Sequence, residues 1–157
     1  SGYGFASARR PESTLTAAVE ADPQFAAAWA ALAEARSWQL RNGVETDTTG
    51  ARQALDRAAA LAPEARETIV AEGVYLYYAK ADFAEADERF QAALSRWSED
   101  AVLLGLRSLV VRRLGRWEES LELGQRGAAI DPRQAAWRNS SRPALRRRAD
   151  RPHRFAR

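Results

Sequence analysis

Three stretches of this 157-residue chain close in the same way: Ala17-Ala-Val-Glu-Ala-Asp-Pro23, Ala58-Ala-Ala-Leu-Ala-Pro63 and Gly127-Ala-Ala-Ile-Asp-Pro132. Each places a small residue five positions before a proline that ends an Ala-rich run with helical periodicity. The proline acts as a stop, because it lacks an amide proton and disfavours the helical conformation in the residue before it. Pro63 and Pro132 lie 69 positions apart, twice 34 plus one, and Pro23 and Pro63 lie 40 apart, or 34 plus six. A period near 34 in a helical pattern marks a stack of repeated units that pack on their neighbours, rather than a compact catalytic domain.

Further markers fall in phase with that period. Ala51, Leu55 and Ala58 stand 12, 8 and 5 positions before Pro63. Trp29, Leu32 and Ala33 open the helix that follows Pro23. Ala86, Phe90 and Ala93 recur in the next unit, and Gly115-Arg-Trp117-Glu-Glu-Ser120-Leu121 in the one after. Over roughly residues 12–134 these positions resemble the tetratricopeptide repeat, whose pattern is W-x2-L-G-x2-Y, then A-x3-F, then P. The resemblance implies an all-α helical-hairpin solenoid of about three complete repeats plus partial ends. Its units would be 1–23 (a second helix only), 24–64, 65–98 and 99–132, followed by a tail at 133–157. Helices are expected at about 11–21, 25–41, 50–62, 65–80, 83–97, 99–114 and 117–131. Trp29, Phe90 and Trp117 are expected in the core.

Departures from the pattern carry information. Six extra residues fall in Arg41-Asn-Gly-Val-Glu-Thr-Asp-Thr-Thr-Gly50, a polar stretch with turn chemistry in which Asp47, Thr48 or Thr49 can cap the next helix. Ser98 takes the place of a closing proline and is expected to cap a helix from about Glu99. Gly124 and Gly127 sit within the last helix, where each costs about 0.5–1 kcal/mol against alanine. With no methionine in 157 residues and a start that falls inside a repeat's first helix, the chain is expected to be a piece of a longer array. The run from Ala18 to Ala35 also resembles repeat arrays attached to bacterial cyclases, kinases and winged-helix regulators.

The charge is divided unevenly. Residues 1–132 hold 15 basic and 20 acidic side chains, whereas 133–157 hold nine arginines and one aspartate. The overall +3 therefore belongs to the tail, where Pro143 and Pro152 interrupt any long helix. Arg146, Arg147 and Arg148 in that tail suit phosphates or an acidic partner, so nucleic-acid or acidic-partner binding is one functional reading. The other reading of the same residues is a solvated or frame-shifted end.

The composition leaves few routes to catalysis. The single histidine, His153, lies in the tail, and there is no cysteine. No His-based triad or metal cluster can therefore be assembled within a repeat. Glu85 with Glu88 and Glu118 with Glu119 fit solvent faces, and Gly2 and Gly4 follow no strand. No enzyme activity, cofactor or metal is expected, and no apolar run is long enough to span a membrane. A cytoplasmic location is the expectation.

What remains is recognition of a protein. In the family that the chain resembles, first helices line a concave groove that holds partner segments. Carried over by register, the groove positions include Ala30, Glu34 and Trp38; then Val70, Ala71, Val74 and Tyr78, with Tyr77 the alternative to Tyr78; then Val102, Leu106, Leu109 and Arg113. The best candidates are Glu34, Trp38, Val74, Tyr78, Leu106, Leu109 and Arg113, framing an apolar groove for a protein or peptide segment. That segment is expected from another protein or from another domain of the parent chain. The opposing reading is that these residues only pack neighbouring helices. Open apolar faces at the two ends, with Leu15 and Val19 at one and Leu121 and Ile130 at the other, lead us to expect end-to-end self-association.

Overall fold

A computed structural model describes residues 11–44 and 46–133, which form seven helices and, among the described residues, no strand. They are α1 (Glu12–Ala21), α2 (Ala26–Arg41), α3 (Thr49–Leu61), α4 (Arg66–Tyr75), α5 (Phe83–Arg96), α6 (Ala101–Arg113) and α7 (Trp117–Ile130). A π-helical turn, Leu76–Lys80, prolongs α4. With the π turn counted as part of α4, every helix lies within two residues of its expected bounds at either end. None is long and apolar enough to cross a membrane.

The helices pack in chain order. The pairs α2–α3, α4–α5 and α6–α7 form hairpins, α1 lies on α2, and α5 lies on α6. Cross-contacts show that the hairpins are antiparallel. Arg36 Nη1 near the end of α2 donates to Gly50 O at the start of α3, while Arg57 near the end of α3 lies over the Trp29 ring. Beyond these pairs, α2 packs on α4 and its π turn. Arg66, at the start of α4, forms a bidentate ion pair with Asp100, at the start of α6, across 34 residues. One first helix therefore begins beside the next.

Burial separates first helices from second ones. In α6, Val102, Leu103, Leu104, Leu106, Leu109 and Val110 point around most of the circumference, and all are buried. In α5, burial follows a single stripe, Ala86, Asp87, Phe90 and Ala93, with polar residues elsewhere. Phe90 is fully buried and abuts Gly73 of α4, where an added Cβ would stand 2.4 Å from the ring. Trp29 is partly buried against the cluster of Leu15, Val19, Leu32 and Leu55. Gly127 has a different role from a mere helix-weakening residue. It is buried where α7 crosses α6, and an added Cβ would meet Ala101 O at 3.3 Å and Leu104 Cβ at 3.4 Å.

Several expectations are corrected. Asp100, not Ser98, caps α6, its Oδ1 accepting from the amides of Val102 and Leu103. A carboxylate at that position meets the positive helix end and Arg66 together, which a serine hydroxyl cannot do. Asp47 orders the start of α3 by accepting from Thr49 N and Oγ1, and neither Thr48 nor Thr49 makes a capping bond. Trp117 is not a core residue, since it is 66% exposed at the first position of α7. The equivalent residue 34 positions earlier, Phe83, packs against Tyr77 with ring centroids 5.4 Å apart. Leu15 and Val19 are buried rather than open, whereas Leu121 and Ile130 are exposed.

The polar contacts join units rather than decorate the surface. Asp87 on α5 is buried and accepts from both Arg107 of α6 and Arg116 of the following turn. Both arginines also pair with Glu119 of α7, closing a ring of four charges. A buried carboxylate needs such partners to offset its desolvation. Ser108 and Ser120 bond each other's backbone carbonyls across α6 and α7.

Candidate functional site

First helices α2, α4 and α6 run alongside one another and finish at one edge of the molecule, each end carrying cations. Arg41 lies in the last turn of α2, Lys80 in the π turn, and Arg112 and Arg113 in the last turn of α6. Cations at carbonyl-rich helix ends are favoured by the helix dipole, so the arrangement is locally stable without any ligand. None of these four side chains is in an ion pair with a carboxylate among the described residues.

The π turn sets the aromatic part of the edge. Widening the helix by one residue places both Tyr77 and Tyr78 toward the ends of α2 and α6. The chain then leaves through Ala81 in a left-handed conformation, φ 53°, unusual for a residue with a Cβ. Asp82 N donates back to Leu76 O, and Asp82 Oδ1 accepts from Glu85 N to start α5. The Tyr77 and Tyr78 rings meet edge to face, with centroids 4.8 Å apart. Arg113 Nε donates to the Tyr77 hydroxyl at 3.2 Å, across 36 residues.

Tyr78 is the centre of the group. Burial and then neighbouring Tyr77 push its phenol up to about 12, while Arg41 and Arg113 pull it down. The hydroxyl is therefore a neutral donor and acceptor at any ordinary pH, with cations of α2 and α6 acting on it. The Arg113 guanidinium is held above its usual range chiefly by its bond to Tyr77. Only one of its five donors is used in that bond, so the rest of the planar fork remains available. Trp38, one turn before Arg41 on α2, is 42% exposed and completes the edge.

The sequence-derived candidates thus divide. Trp38, Tyr78 and Arg113 lie on this edge. Val74, Leu106 and Leu109 do not line an open groove, because they are buried in the cluster around Phe90, Leu103 and Val110. Val70, Ala71 and Val102 are buried as well. Glu34 is also buried, at the middle of α2, and its charge acts on Arg66. It belongs to the electrostatics of the first-helix starts. Arg146, Arg147 and Arg148 lie outside the described residues.

Arg41 was missed, and Tyr77 appeared only as an alternative to Tyr78. The legible signal was a cation in the last turn of successive first helices. The ambiguity between the two tyrosines has a physical origin, since a π turn shifts the helical register by one residue. A second concavity, a cleft of about 570 Å³ between α1, α2 and α3, is lined by Val19, Trp29, Leu32, Arg36, Asp56 and Arg57. Of its charged lining residues, Arg36 is engaged by Glu12 and Gly50 O, Asp56 by Arg52, and Arg57 by the Trp29 ring.

Comparison with protein-family models finds no match to this chain, and comparison with curated proteins finds none either.

Proposed function

We propose that the chain is a segment of a tetratricopeptide-type solenoid that works by binding a segment of another protein, without catalysis. The observation that carries this reading is the edge formed by Trp38, Arg41, Tyr78 and Arg113, to which three first helices each contribute a cation or an aromatic. Trp, Tyr and Arg are the side chains most often found to carry binding energy at protein interfaces. The spacing of the sequence markers and the 34-residue Arg66–Asp100 pairing support the repeat assignment. The partner is held at this aromatic and cationic edge rather than in an apolar trough, since the apolar candidates serve as core.

A displayed random-peptide library selected against the full chain tests the reading. Enriched peptides are expected to lose binding at least tenfold on Trp38→Ala, with the helical circular dichroism unchanged. A selection that returns no peptide sensitive to Trp38→Ala overturns it.

A further inference from the structure

We infer that the partner segment of this edge is acidic, an extended peptide that presents two carboxylates to Arg41 and Arg113 and an apolar or aromatic residue to Trp38 and Tyr78. The inference rests on the proposed protein-binding role of the edge and names the chemistry of what binds there. Three observations carry it.

The first is unanswered positive charge. Elsewhere among the described residues most arginines meet a carboxylate, Arg36 with Glu12, Arg66 with Asp100, Arg107 and Arg116 with Asp87 and Glu119, and Arg96 with Glu64, the exceptions being Arg126 and Arg57, which lies over the Trp29 ring. Residues 1–132 carry an excess of carboxylates, 20 against 15 basic groups. Even so, Arg41, Lys80, Arg112 and Arg113 meet none of the described ones within ion-pair distance.

The second is orientation. Arg113 is fixed through its Nε by the Tyr77 hydroxyl, which leaves the outer nitrogens of the fork for a planar acceptor such as a carboxylate. The third is the neutral Tyr78 phenol, on which the charges of both arginines act. It can donate to a carboxylate oxygen without adding charge, and the exposed Trp38 indole of α2 offers an apolar residue a flat surface.

Geometry sets the spacing of the acidic groups. Arg41 and Arg113 stand on α2 and α6, both tied to α4 and its π turn, so the span between them is on the order of two helix diameters, 20 Å. Both are long side chains, which shortens the span that a partner has to bridge. An extended segment rising about 3.3 Å per residue then presents its two carboxylates about four to six residues apart. A partner with one carboxylate engages only half of the site.

The test is fluorescence anisotropy with the full chain and a labelled ten-residue peptide holding two glutamates five residues apart around a phenylalanine. Three comparison probes are the same peptide with both glutamates replaced by glutamine, a lysine-for-glutamate version, and a ten-nucleotide single-stranded DNA. The acidic peptide is expected to bind at least tenfold more tightly than the glutamine peptide, and more weakly as salt is raised. Arg41→Gln and Arg113→Gln should each weaken it by about tenfold, the order expected for losing a charge-assisted bond. Arg126→Gln, on the exposed side of α7, should leave it unchanged. Arg41→Gln removes no intramolecular partner among the described residues, so it separates recognition from folding even if Arg113→Gln is destabilised. Acidic-peptide binding that ignores both substitutions places it on the basic tail and overturns the inference. Tighter binding of the oligonucleotide through the same arginines also overturns it, in favour of a nucleic-acid site. Trp38-dependent binding of the glutamine peptide at equal strength overturns the acidic preference while leaving the protein-binding role intact.

Discussion

Helices α5 and α7 stand at equivalent places 34 residues apart, yet they solve the same packing problem from opposite sides. On α5 the large residue is Phe90, and the room for it is made on the preceding helix by Gly73. On α7 the equivalent position is Gly124, and another glycine, Gly127, admits Leu104 and the backbone of α6. Close approach of two helices needs one small partner, and either helix of a hairpin can supply it. The outer slots differ in the same informative way. Asp87 of α5 is covered by Arg107 and Arg116, while Leu121, 34 residues on, is 58% exposed. A slot is therefore polar where a following unit brings arginines to it and apolar where, among the described residues, none covers it.

Substitutions can break or sharpen that comparison. The largest effect belongs to Phe90→Ala, which empties the α4–α5 crossing and should cost about 3–5 kcal/mol in denaturant unfolding. A loss no greater than that of the exposed Glu88→Ala would refute the burial pattern of α5. Gly73→Ala drives a methyl into the Phe90 ring and should cost about 1–3 kcal/mol. The Gly73→Ala/Phe90→Leu double variant should be more stable than the sum of the singles predicts, because the two changes act on one space.

A smaller effect depends on pH. Burial raises the Asp100 carboxyl, but Arg66 and the amides of Leu103 and Val102 more than offset it, leaving it below the usual range. A carboxyl held low when folded stabilises the chain above its unfolded pKa, about 3.9, and that contribution is lost as pH falls through the folded value. The stability gap between the unsubstituted chain and Asp100→Asn should be constant near neutrality and close below about pH 4. A gap that stays constant down to pH 2 would remove Asp100 from the α4–α6 junction. Glu12, lowered first by its bond to Arg36, should add a similar acid-side loss at α1.

Gly127→Ala should change stability least, within about 1 kcal/mol. The helix propensity gained, about 0.5–1 kcal/mol, opposes the tight approach to Ala101 O. A loss as large as that of Gly73→Ala would mean the two crossings are equally rigid, and the contrast drawn between α5 and α7 would fail.

The helices were legible because their signals are local: closing prolines, Ala-rich stripes and a 34-residue period all act within a few turns. Phe90 and Trp29 were legible as packing residues for the same reason. Trp117 was misread because its position in the unit predicts a slot, while its burial depends on what lies beyond α7. The apolar groove was misread because Val74, Leu106 and Leu109 have the same helical period whether they face a neighbour or an opening. Trp38, Tyr78 and Arg113 could be named from register alone. Their meeting with Arg41 could not, since it depends on the π turn at Leu76–Lys80, which leaves no reliable mark in the sequence. Asp100 displaced Ser98 as a cap because Arg66, 34 residues away, rewards a carboxylate there.

The central claim is that the chain holds together through neighbouring helices, so that units open separately. Native-state hydrogen exchange across α1 to α7 tests it most directly. Among the described residues, helix α7 packs chiefly on α6, with Leu94 and the Arg116–Asp87 ion pair linking it to α5. The account predicts that its amides exchange through an opening that costs less than global unfolding, while α2 through α5 stay protected and α6 is intermediate. Exchange of all seven helices at one common free energy, rising and falling together with denaturant, would contradict it.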